Sequence, residues 1–168
     1  LKSALTTIGD DDTLDQVSAT SSNEDALEVE GGTSGNLGSY SLMINSLAAQ
    51  SIFISDTTNV TITDPTAAIS TIGTGGDLDV TINGTTQTVT YTTASSLNDI
   101  RDAINNLTLD VSASILDVSG AGTDYRLVVT GTEEGTTNAV TLADNNGGDI
   151  VADLVLGTAD QAAANSSI

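Results

Sequence analysis

A chain of 168 residues with a net charge of −20, whose only cations are Lys2, Arg101 and Arg126, repels nucleic-acid phosphates and anionic membrane surfaces. It has no His and no Cys, which excludes disulfides, thiolate metal sites, a Cys nucleophile and a Ser-His-Asp triad within the chain. Its apolar share is 38% but its aromatic share only 2%, so one domain or two small ones must be filled by Leu, Ile, Val and Ala.

The chain opens without Met and without an apolar leader run, and reads as a piece of a longer protein. Leu1, Leu5 and Ile8 have helical spacing, and Gly9 stops them. In "DALEVE", Leu27 and Val29 alternate with Glu, which predicts a half-buried strand. Gly31 to Gly38 is a glycine-rich loop. Tyr40, Leu42 and Ile44 fall on one face of a predicted strand; the alternation breaks at Leu47 and resumes in "SIFIS". "NVTIT" predicts a short strand with Val60 and Ile62 inward, closed by Asp64-Pro65. From Thr66 to Gly76 the chain reads as loop or weak helix, a plausible boundary between two units.

The second half is more sharply patterned. Leu78, Val80 and Ile82 alternate with polar residues, Asn83-Gly84 supplies a two-residue turn, and Val89 and Tyr91 return inward. "SSLNDIRDAINNL" predicts a helix capped by Ser95 or Ser96, with Asp99 in its first turn. Leu97, Ile100, Ile104 and Leu107 form its apolar stripe, with Ala103 beside it, so it must lie on a sheet. Strands follow at Val111–Ile115, with a register change at Leu116, at "YRLVVTG" and at "NAVTLA". "DNNGGD" is a turn, and "IVADLVLG" fits either a helix or a strand.

Chemistry-bearing motifs are sparse. "GDDD" (residues 9–12) and "DNNGGD" (144–149) offer oxygen ligands for calcium, but neither has EF-hand spacing, and both serve equally as turns. The glycine-rich loops lack the Lys and helix of a phosphate loop. Carboxylates abound without the aromatic platforms usual in a glycosidase. The residues predict no enzyme, no cofactor and no metal site.

The order of residues from Leu78 to Val140 resembles the flagellar hook IN motif. Ile82-Asn83-Gly84, the helix from Ser96-Leu97 to Arg101-Asp102-Ala103-Ile104-Asn105, Val111 to Ile115, Tyr125 to Leu127, and Gly135 to Ala139 carry the likeness. "LKSALTT" looks like the end of a leg helix, and Gly38, Tyr40, Leu47, Ala48 and Gln50 are similar to a second segment of the flagellar filament cap family, hook-associated protein 2. Asp110 stands where that family often has Gly, and residues 56–76 match no part of it. The resemblance implies an α+β, mainly antiparallel fold of two small head lobes, with one helix packed on the second sheet. Residues 1–9 would end the leg helix, 10–65 and about 155–168 would form a discontinuous first lobe, and 66–154 a second lobe with the motif. The motif positions are Ile82, Asn83, Gly84, Leu97, Ile100, Ala103, Ile104, Asn105, Leu107, Tyr125 and Leu127.

Functionally the resemblance implies an extracellular cap at the flagellar tip, promoting flagellin insertion and filament elongation. Its implied partners are flagellin and further copies in a ring, often a pentamer, and in some bacteria a host surface glycoprotein such as mucin. The coiled coil would lie outside this chain. Two other readings are another flagellar axial protein, such as a flagellin or junction protein, and a calcium-binding adhesin or S-layer-like module.

Overall fold

Asn83 and Gly84 have φ of 49° and 71°, the left-handed pair a two-residue hairpin requires. The computed structural model describes residues 18–23, 28–30, 38–39, 41–69 and 75–167. Two compact units are present, Leu1–Leu42 and Met43–Ile168. The predicted helix at 1–8, Leu27, the loop at 31–37 and Tyr40 lie outside the described residues.

The 83–84 turn joins β2 (Gly76–Ile82) to β3 (Thr85–Tyr91), and β6 (Thr141–Asn145) pairs with the other side of β2, giving the order β3-β2-β6. A second sheet has the order β1-β5-β4, from β1 (Ile52–Ile54), β4 (Val111–Asp117) and β5 (Tyr125–Gly131). All pairings are antiparallel. The mainly antiparallel α+β class is therefore the fold observed. β1, read from the sequence as part of the first lobe, forms an edge of the sheet that holds β4 and β5.

Helix α1 (Leu97–Asn105) touches β4 of one sheet and β3 of the other. Leu97, Ile100 and Ile104 are buried in one cluster with Leu78 and Val80 of β2 and Leu127 and Val129 of β5. Burying each such side chain contributes about 1.5–3 kcal/mol. Ser96 caps the helix in a reciprocal box. The Asp99 amide donates to Ser96 Oγ at 3.2 Å, and the Ser96 amide donates to Asp99 Oδ2 at 2.8 Å. The Asn98 amide donates to the Pro65 carbonyl, so the residues after "NVTIT" also serve the helix start.

Those bonds from Ser96, backbone first and hydroxyl second, hold the Asp99 carboxyl below the ordinary 3.8. A depressed folded-state pKa favours folding above the unfolded value, and the contribution is lost as pH falls through the folded one. Asp99→Ala is therefore expected to lower the melting temperature at pH 7 and to lower it by progressively less as the pH falls below 3.8, a trend that parallel thermal melts would measure.

Several predicted elements take another form. Residues 28–30 are irregular and exposed. At 41–46 the expected strand is absent; Leu42 and Ile44 are exposed, and isolated bridges at Ser46 and Ala49 replace a ladder. "NVTIT" reaches only one bridge, Ile62 to Tyr125, although Ile62 is buried. The last strand begins at Thr141 because Thr136–Asn138 form a 3-10 turn. "IVADLVLG" becomes the short helix α2 (Ile150–Asp153) followed by a reversal at Val155, φ 57°. That is a costly conformation for a β-branched residue. It turns the chain so that Leu154 and Leu156, on either side, are both buried.

Candidate functional site

The apolar motif residues and Tyr125 share one core or its margin, while Asn83, Gly84 and Asn105 are exposed. Ile82 ends β2 with its side chain buried, and Asn83 and Gly84 make the exposed turn. Leu97, Ile100 and Ile104 are buried, while Ala103 and Leu107 are partly buried against the same core. Leu127 is fully buried in β5, and Tyr125 packs at the core's margin while its amide donates to the Ile62 carbonyl at 2.8 Å.

Asn105 does something apolar periodicity could not reveal. Its side-chain Nδ2 donates to the Ala113 carbonyl at 2.8 Å, and its Oδ1 accepts from the Ala113 amide at 2.7 Å. The amide thus behaves like one residue of an additional strand on the outer edge of β4. Gln87 of β3 makes a matching clamp on Thr108, accepting from its amide at 2.9 Å and donating to its hydroxyl at 2.6 Å. The two clamps tie the helix and its exit to one strand of each sheet.

Other framing residues were passed over in the sequence. Ser51 and Ser55 flank Phe53 at period two and are buried with it. Ser51 Oγ accepts from the Val140 amide at 3.0 Å, and Ser55 Oγ accepts from the Leu127 amide at 2.9 Å. Their alternation with a buried aromatic was the available signal. Arg126 grips both Asp124 oxygens, at 3.0 and 2.9 Å, and donates to the Ser55 carbonyl at 3.1 Å. The Asp124 carboxyl is held low by this pairing with Arg126.

Tyr91 was placed inward from the sequence, but its hydroxyl carries a second role. Tyr91 Oη accepts from the amides of Asp149 and Ile150, at 2.7 and 3.0 Å, and so covers the start of α2. Burial pushes its phenol above the ordinary 10.0. Tyr91→Phe leaves those two amides without the acceptor, and a destabilisation of about 1–3 kcal/mol is expected by urea unfolding.

The carboxylates serve the backbone. In the 144–149 stretch, Asp144 accepts from the amides of Val151 and Ala152, at 2.8 and 3.1 Å. Asn145 and Asn146 donate to Asp79 and Asp77. Asp56 and Asp160 accept from the amides of Thr58 and Ile54. Asp117 receives the Ser119 hydroxyl and the amides of Gly120 and Gly122, and its carboxyl is lowered, chiefly by Ser119. No group of three or more metal-ligating side chains occurs among the described residues, and "GDDD" lies outside them. The arrangement is one of packing and backbone pinning.

Residues 77–133 match the flagellin hook IN motif. Flagellar hook-associated protein 2 of Escherichia coli strain K12 is 40% identical over 157 residues, covering 85% of this chain and 31% of that protein. Its counterpart in strain O157:H7 is 41% identical over 157 residues, 85% of this chain and 30% of that protein. The chain thus spans under a third of these relatives. The crystal structure of the flagellar cap protein FliD D2-D3 domains from Escherichia coli aligns with a TM-score of 0.58 at 32% identity, over 73% of this chain and 65% of that one. The flagellar cap protein FliD from Bdellovibrio bacteriovorus aligns at 0.55 and 19% identity, over 73% and 66%, a likeness of fold.

Proposed function

Because the chain belongs to the flagellar hook-associated protein 2 family, matching part of its head region, we propose that it works as a structural element of a filament cap. The cap sits outside the cell at the distal tip of the bacterial flagellum. There it holds exported flagellin while it folds and inserts, and so lengthens the filament. The full protein acts as a ring of copies around the tip, and the head presents its surface to flagellin. It performs mechanical and docking work, with no reaction of its own.

The observation that carries this reading is the frame itself. The motif residues of α1, β2 and β5 enter one core, and Asn105 fastens the helix to β4. A rigid platform of this kind can resist a folding client without chemistry.

The lobe organisation follows the same reading. Residues 45–52 run antiparallel to 161–167, through Asn45 to Ser167, Ala49 to Ala164 and Ile52 to Gln161. Beside this pairing Met43 and Leu47 are 72% and 75% exposed. Strands from elsewhere in the longer protein would cover them and complete a discontinuous first lobe.

The test is a graft. The matched segment of Escherichia coli hook-associated protein 2 is replaced by this chain in a strain lacking its own copy. Filaments of normal length, with flagellin retained on the cell, are expected. Flagellin shed as monomer into the medium, from a graft that is exported and folded, would contradict the reading.

A further inference from the structure

A sheet edge presents unpaired backbone donors and acceptors, and proteins normally blunt it. The two sheets here have four edges. β1 is covered by Gln161, whose amide and carbonyl exchange bonds with Ile52, and by Asp160, which accepts from the Ile54 amide at 2.6 Å. β4 is blocked at Ala113 by the Asn105 side chain. β6 is short, and its Asp144 turns back to hold the start of α2.

Among the described residues nothing is bonded to the outward backbone of β3; Gln87 is tied to Thr108 through its side chain, on the face opposite Thr86, Thr88 and Thr90. β3 is a regular strand of 7 residues, "TTQTVTY", with no charge, no Pro and no bulge in its register with β2. The turn places Ile82 opposite Thr85, so alternation points the amides and carbonyls of Thr86, Thr88 and Thr90 away from β2. All three residues are exposed.

Charge defines what fits there. On the same exposed face the hydroxyls of Thr88 and Thr90 donate to Asp79 and Asp77, each at 2.7 Å. A strand added beside β3 would lie about 10 Å from β2, within reach of a long cationic side chain. Pairing of β3 with the β3 of a second copy would bring no cation to Asp77 and Asp79, since the strand carries none. We propose that the outer edge of β3 docks an extended, basic segment of a partner protein, which joins the sheet as a further strand. This rests on the edge and its charge, and stands apart from the cap reading.

The probe is a synthetic peptide of alternating lysine and threonine, capped at both ends, added to the whole chain. Amide hydrogen exchange at Thr86, Thr88 and Thr90 is expected to slow by about tenfold or more at saturation, with β4 amides unchanged. Thr88→Pro removes the central outward amide while sparing the bonds to β2, and should abolish the effect. Thr88→Lys keeps every backbone donor of β3, replaces the Thr88 hydroxyl beside Asp79 with a guarding charge on the edge, and should weaken binding by about tenfold. Slowing spread over every acidic strand, binding that survives both substitutions, equal binding of a glutamate-threonine peptide, or no binding would each overturn the proposal. So would dimers of the chain that form through β3 without peptide.

Discussion

Gly76→Ala is expected to destabilise the chain by about 3 kcal/mol or more. A Cβ at Gly76 would lie 2.3 Å from both the Cα and the amide nitrogen of Gly148. The obstructing atoms are backbone, so no rotamer change relieves them. The approach is close from both sides, since a Cβ added at Gly148 would in turn meet the Tyr91 hydroxyl at 2.6 Å and the Asp77 carbonyl at 2.7 Å. The first residue of β2 and the approach to α2 would have to separate. Denaturant unfolding followed by circular dichroism measures the loss. Gly84→Ala is the informative contrast, since a Cβ there meets nothing within 4 Å and only the φ of 71° opposes it. A Gly76→Ala protein as stable as the parent would mean that the two segments do not pack as described.

The second large effect is expected from Ile104→Ala, at about 2–5 kcal/mol. Ile104 is fully buried on the side of α1 that faces both sheets. Truncation leaves a cavity in a core built mainly of Leu, Ile and Val side chains. Leu116→Ala, by contrast, should stay within about 0.5 kcal/mol, because Leu116 is 48% exposed; the register change expected there is absent, since β4 keeps one register with β5 from Val111 to Asp117, and Leu116 falls on its outward face. The same chemical change thus separates a sealing residue from an ornamental one, and equilibrium unfolding of both variants reads the difference.

Which features were legible follows from the range of the interactions involved. The β2–β3 hairpin was readable because Asn83-Gly84 fixes its geometry with two adjacent residues. Helix α1 was readable because its cap, its first-turn acid and its apolar stripe lie within its own length. "NVTIT" misled because alternation reports a buried face, which Ile62 has, and not a ladder partner, which it meets at one bridge only. At 41–46 alternation was present without burial, and Leu42 and Ile44 stayed in solvent.

The framing contacts were harder still. Tyr91 finds its amides 58 and 59 residues away, and Ser51 reaches Val140 across 89. Nothing local marks such pairs. Asn105 sits on the polar side of the stripe and looked like a solvated surface residue, yet its partner lies only eight residues on, across a turn whose path no local pattern gives. The motif likeness selected it where periodicity did not.

The central claim is that α1 closes a single core shared by both sheets, and native-state hydrogen exchange across a denaturant series tests it most directly. The amides of Ile104 in α1, Val80 in β2 and Val129 in β5 should open together, with one free energy equal to that of global unfolding. If the Ile104 amide exchanged through a separate, far cheaper opening while the two strands stayed protected, the helix would be an appendage and the account of the frame would be wrong.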